Sequence, residues 1–226
     1  LGIDPATTTA DSWEGLGRAE SLILARDEKL TSRAVGDGRL RVKALPGRVL
    51  RVAGGRWSLP DRADLGMDLS AVLESEIGHD ALLIVENLQT FDDIHTVDSE
   101  VMGNLSAHDP LVIYRGDTQG GARADAVHAL VSGTVLPVIA FVDFDPAGLV
   151  IASGLPRLDM VLAPSLKELA EIIQASGIAK RYLEQVAMAA HAMQRIQGDP
   201  RMAPLWRVIH AAGKALPQEY FHRHAK

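Results

Sequence analysis

The sequence has no cysteine, which excludes disulfides, thiolate metal sites and thiol nucleophiles and says little about compartment. It has no run of about 18 uninterrupted apolar residues, so no membrane span is expected. No charged-then-apolar N-terminus of the secretory kind is present, and a cytoplasmic protein is the natural reading. The glycines between Gly116 and Gly121 do not form GxxxxGKS/T, so a P-loop nucleotide site is not indicated. Eight histidines invite a zinc reading, but His222 and His224 form the only HxH pair, in a terminal tail where they read as solvated. No internal repeat is visible. Net positive charge is lacking too: the formal charge is -6, which discourages nucleic-acid binding, because such binding neutralises phosphates with Lys and Arg.

What is present starts with a core. At 226 residues and 47% hydrophobic content the chain can bury one sizeable domain, or a domain with a smaller companion. It opens on Leu1 rather than Met, and reads as a piece of a longer protein. The charges are unevenly placed: eleven acidic against three basic residues from Ala81 to Met160, but eight basic against three acidic from Gly177 to Lys226. Carboxylates around a metal site, beside a basic flank that could hold a polyanion, would produce this asymmetry, and so would ordinary surface patchiness.

Residues Leu1 to Ser12 read as a mobile tail, and Trp13 to Ala34 as an amphipathic helix. RLRVKAL, RVLRV and RWSL, separated by Pro46-Gly47 and Gly54-Gly55, suggest a small antiparallel meander. Its Arg39, Arg41, Lys43, Arg48, Arg51 and Arg56 could touch phosphates or form a solvated sheet face. A helix is expected at Leu69 to Ile77, capped by Asp68. Strands and helices then alternate. Strands are expected at Ala81 to Val85, Leu111 to Tyr114, Val138 to Val142 and Met160 to Leu162. Helices fall at Ala122 to Val131, Ala147 to Ser153 and Ser165 to Gln174, with part of Leu88 to Val101 also helical. Near-continuous apolar strands of this kind imply a mostly parallel sheet covered by helices on both faces. Two or three helices follow from Ala179. The division expected is 1–78 (helix plus meander), 79–176 (metal-binding α/β domain) and 177–226 (helical extension).

The chemistry concentrates in LPVIAFVDFDPAGLVI, Leu136 to Ile151. In an extended chain Asp143 and Asp145 share a face, and two neighbouring carboxylates repel. A divalent cation or a shared proton would relieve this, and hard oxygen ligands suit Mg2+ or Mn2+. VEN places Glu86 and Asn87 after the first of these strands, and YRGD places Arg115, Gly116 and Asp117 after the second. In a parallel sheet these ends are neighbours, so Glu86 converges on the aspartate pair. Ligands in such folds sit at that edge. Asp and Pro are also ordinary turn formers.

The order strand-Glu, strand-Gly, strand-Asp-x-Asp resembles the Toprim domain of topoisomerases, primases and nucleases. VEN, LVIYRGD and DFDPAG are most similar to the Toprim of topoisomerase VI A-type proteins and of the nuclease subunits of Wadjet-type, condensin-like plasmid-defence systems. The resemblance spans Ala81 to about Leu162. It implies that Glu86, Asp143 and Asp145 hold one or two Mg2+ or Mn2+ ions for DNA phosphodiester cleavage. Glu86 would serve as ligand or general base. Asp117 is a further ligand or a helix cap. Arg115, Gly116 and Arg123 face phosphate, although Arg123 could instead pair with Asp125 or Asp117. Asn87 orients Glu86, and Gly148 supports the turn. Implied partners are DNA, subunits of an SMC-like or condensin-type complex, and a second copy in a homodimer. Two other functions stay open: a topoisomerase VI A-like subunit whose tyrosine domain lies outside this chain, and a non-catalytic Toprim module that binds metal and DNA.

Overall fold

The computed structural model describes residues 38–116 and 124–222. The tail and helix expected before residue 35, and with them Asp117, Arg123 and His224, lie outside the described residues.

Four apolar runs build the centre: β5 (Ala81–Val85), β6 (Pro110–Tyr114), β7 (Val138–Phe141) and β8 (Leu158–Val161). Every residue of ALLIV, PLVIY and VIAF is buried, as expected of strands covered on both faces. Alternation along β5 sends Leu83 and Val85 into one core, with Val112, Ile139 and Phe141, and Leu82 and Ile84 into the other, with Leu111 and Ile113. These four strands are parallel, and Val85 stands level with Tyr114 on one side and Phe141 on the other.

The first of the expected meander strands joins this sheet. β1 (Arg39–Lys43) pairs antiparallel with β6, and β4 (Leu65–Asp68) pairs with β1, giving the order β4-β1-β6-β5-β7-β8. The fold is thus α/β with a mixed, mostly parallel six-stranded sheet. β2 (Leu50–Val52) and β3 (Gly55–Trp57) form a separate hairpin. Its two-residue turn, Ala53-Gly54, has φ of 51° and 71°, the sign pattern of the primed turn that matches strand twist.

Because β1 lies inside the sheet, its cations are not a free surface. Lys43 is buried and donates to the carbonyls of Asp61, Phe91 and Asp92 at 3.0, 3.2 and 3.1 Å. Arg41 binds Asp64 and Asp92, Arg39 binds Asp68, and Arg48 and Arg51 both bind Asp109. Of the expected phosphate-facing row, Arg56 is exposed and has no such ion pair among the described residues.

On the first core face pack α2 (Leu88–Asp92), α3 (Ser99–Gly103), α5 (Pro146–Ser153), α6 (Leu166–Ser176), α7 (Ala179–Gly198) and α8 (Ala203–Ala212). On the second lie α1 (Leu69–Leu73), α4 (Ala124–Gly133) and the hairpin. α1 stops four residues short of the helix expected to Ile77; its Asp68 gives no capping bond because that carboxylate reaches Arg39. Ser165 caps α6 through Glu168 N, as the S-x-x-E spacing predicts. After α8 the chain returns across the sheet as a strap. Ala215 pairs with Ile178, Leu216 with Phe144 and His222 with Val97. No helix among the described residues is long and apolar enough to cross a membrane.

Candidate functional site

The parallel ladder runs one residue past the strands: Glu86 N donates to Phe141 O and Arg115 N to Val85 O, both at 2.9 Å. This fixes Glu86 and Arg115 at the same sheet edge that delivers Asp143. The Glu86 carboxylate then accepts the Asp143 amide at 3.0 Å. Glu86 and Asp143, about sixty residues apart in sequence, meet as expected. They line a cleft of about 610 Å³ together with Arg62, Gln89, Tyr114 and Arg115.

Asp145 is placed differently. It is fully buried, lies outside the cleft wall, and caps α5: its Oδ1 accepts Gly148 N at 2.7 Å, with Pro146 at the first helical position. Gly148 is required there, because a Cβ would fall 2.2 Å from the Asp143 carbonyl oxygen. The turn-forming and chemical readings of DFDPAG therefore apply to different residues of one motif.

The repulsion between Asp143 and Asp145 has a third remedy, one not anticipated from sequence. Arg181, in the first turn of α7, forks across the pair: Nε binds Asp145 Oδ2 at 2.8 Å and the terminal nitrogen binds Asp143 Oδ2. Gln185, one turn on, donates to Asp145 Oδ2 at 3.1 Å and accepts Ala147 N. The strap adds Gln218, whose backbone N–H donates to Asp143 Oδ1 at 2.8 Å, and Glu219, which accepts from Asn87 Nδ2. Asn87 thus caps α2 through Thr90 N and holds the strap; its amide reaches Glu219 and not Glu86. His222 is likewise buried, not solvated, with its ring nitrogens on the hydroxyls of Thr90 and Thr96.

Even with Arg181 in place the edge carries excess negative charge. Burial, then the charges of Asp143 and Asp145, push the Glu86 carboxyl up to about 7, against the opposing pull of the Asp143 amide and Arg115. Burial also raises Asp143, outweighing the Gln218 amide and Arg181. A carboxylate pair held this way is a natural seat for a cation. Among the described residues no three His, Cys, Asp or Glu side chains stand together as a ready ligand set; Glu86 and Asp143 fit a metal at the cleft, and Asp145 as placed does not. Arg115 also faces the cleft, and its Nε is buried without a hydrogen-bond partner. Gly116 follows in the left-handed region at φ 83°, where a side chain would be strained.

Arg181, Gln185, Gln218 and Glu219 left no motif in the sequence. The nearest signal was the basic flank beside the acidic middle, together with the i, i+4 spacing of Arg181 and Gln185 on one helix face. No curated protein matches the sequence at a significant level. Residues 37–225 match the family described as Domain of unknown function (DUF7281), and since this covers most of the chain, the protein belongs to that family.

Proposed function

We propose that the chain is the Toprim-like catalytic module of a Mg2+- or Mn2+-dependent DNA endonuclease, acting as the nuclease subunit of an SMC-like plasmid-defence or chromosome-maintenance complex. The observation that carries this reading is the contact of Glu86 with Asp143 at the ends of adjacent parallel strands, inside a cleft that Arg62 and Arg115 also line. Glu86 and Asp143 would hold the cation. Bound there, the metal supplies charge neutralisation of the phosphate and activation of a water.

The chain's own groups do the rest. Arg115 and Arg62 bind the non-bridging oxygens of the scissile phosphate from the cleft wall. Gly116 keeps the approach clear of a side chain. Asp145, Gly148 and Arg181 keep the Asp143 loop rigid, so the Asp143 carboxylate meets substrate in one orientation. Nicking of supercoiled plasmid in Mn2+ tests the proposal. Cleavage is expected from the native chain and should vanish in Glu86→Ala and Asp143→Ala; undiminished cleavage in both variants sinks it.

A second reading has its own support. Asp143 and Asp145 are already engaged by Arg181, and Asp145 serves as a helix cap, so the pair has structural work independent of chemistry. A non-catalytic module that binds metal and DNA without cutting would show calorimetric Mn2+ binding and no nicking.

A further inference from the structure

We infer that this site takes one divalent cation and not two: Arg181 is the resident cation of the Asp143–Asp145 pair, and Glu86 and Asp143 alone offer oxygens to a metal. The inference rests on the metal-dependent reading above and specifies its stoichiometry.

The oxygens decide the matter. Asp145 Oδ1 is taken by Gly148 N, while Oδ2 receives both Arg181 Nε and Gln185 Nε2, and the residue has no exposure to solvent. The one lone-pair site left, on Oδ1, is buried away from the cleft, so to ligate a metal there Asp145 would have to leave the cap of α5 and the Arg181 fork. Neither group is free to drift, because α5 and α7 pack directly on one another. Asp143 differs. One hydrogen bond from Gln218 N reaches Oδ1 and one from Arg181 reaches Oδ2. Each carboxylate oxygen has two lone-pair sites, so Asp143 keeps capacity on its cleft side. Glu86 accepts one amide bond through Oε2 and also lines the cleft.

Charge points the same way. With all three carboxylates (Glu86, Asp143, Asp145) ionised, one guanidinium leaves two formal negative charges, and the charges around them, Arg62 and Arg115 against Asp92 and Glu219, cancel. One divalent ion balances that remainder. A second, seated between the aspartates, would have to occupy the place of the Arg181 guanidinium.

The test is a Mn2+ titration of the full chain, followed by calorimetry and by electron paramagnetic resonance. One ion per native chain is expected, with no spin-coupled pair signal. Asp145→Asn, which preserves the cap but removes a supporting charge, should weaken Mn2+ binding less than Asp143→Asn does. Glu86→Gln and Asp143→Asn should weaken binding by at least the roughly ten- to hundredfold that loss of even a supporting partner costs a metal site. In Arg181→Met a second ion should enter and a coupled signal appear; Arg181→Lys, which restores the charge, should return the count to one. Two ions on the native chain, a loss in Asp145→Asn equal to that in Asp143→Asn, or a folded Arg181→Met chain that still takes a single ion would each overturn the inference and leave the metal-dependent reading standing. No Mn2+ on any of these proteins would overturn both.

Discussion

Two places in this molecule bring arginines onto aspartates, one half-buried and one buried, and they come out oppositely. Beside the hairpin, Asp109 receives Arg48 at 3.1 Å and Arg51 at 2.6 Å, while the buried His79 donates to its carbonyl. Burial pushes the Asp109 carboxyl up, but the two guanidiniums outweigh it and hold the group below its usual value. At the carboxyl ends of β5 and β7 one guanidinium serves three carboxylates, and there burial wins: Asp143 and Glu86 are both raised. Equal chemistry with opposite stoichiometry separates a cluster in which guanidiniums outnumber the carboxylate from a site in which carboxylates outnumber the guanidinium.

The largest expected effect is on activity. Asp143→Ala should reduce Mn2+-dependent nicking by roughly a hundredfold or more, the scale on which an electrostatic stabiliser is lost. Asp109→Ala, assayed well below its melting temperature, should nick like the native chain. If Asp109→Ala lost cleavage as fully as Asp143→Ala, the division between arginine cluster and reactive site would fail.

Stability should divide the two regions in the reverse sense. Asp109→Ala leaves two arginines without their shared acceptor and should cost about 1–3 kcal/mol in denaturant unfolding. Glu86→Gln keeps an acceptor for the Asp143 amide while removing a like charge, and should stabilise the metal-free protein by about 1 kcal/mol. A Glu86→Gln protein less stable than native in chelator would show that the site holds no excess of negative charge.

The arginine cluster and half of the site differ in how far sequence could reveal them. ALLIV, LVIY and VIAF are continuous apolar runs, and a parallel sheet sets their ends level, so Glu86 meeting Asp143 follows from pattern and topology. The alternation in RLRVK suggested an exposed cationic face. It misled because β1 is flanked on both sides, by β4 and β6, so Arg41 and Lys43 are covered by the 61–64 segment and the end of α2. Arg181 lies 38 residues from Asp143 in sequence, Gln218 lies 75 from it, and Glu219 lies 132 from Asn87. No periodicity or local motif extends over such separations; the strap is placed by the packing of Leu216 and Phe221 into the core. That packing is why the segment after residue 177 completes the site as well as carrying basic charge.

Between pH 7 and pH 5 the two regions should pull stability in opposite directions: the raised Glu86 carboxyl takes up a proton in the folded chain and favours acid, while the hairpin side opposes it. His79 Nδ1 donates to Asp109 O and Nε2 accepts Arg51 N at 3.0 Å, so the ring must be neutral to make both bonds. Burial, opposed by the Asp109 carbonyl and by the charges of Asp109 and Asp80, lowers its pKa below the ordinary value. The unfolded chain then takes up a proton near pH 6.5 that the folded chain refuses, so this stability is present above about pH 6.5 and is lost as pH falls toward the lowered value, at up to about 1.4 kcal/mol per pH unit. His79→Gln should flatten that slope in denaturant midpoints measured from pH 7 to pH 5. An unchanged slope would mean that other groups set it.

The smallest effect expected is also the most local. Arg51, which reaches both His79 and Asp109, sits on β2 two residues before the Ala53-Gly54 turn. Ala53 holds φ of 51°, a region that an alanine adopts at a cost and an asparagine adopts readily, and Asn-Gly is the pair this turn type prefers. Ala53→Asn should therefore stabilise the hairpin and the cluster it carries by about 0.5–1 kcal/mol, read as a small rise in denaturant midpoint. Plasmid nicking should not change, because among the described residues no hydrogen bond links the hairpin to Glu86 or Asp143. A change in cleavage rate without a change in midpoint would couple the two regions and erase the distinction between them.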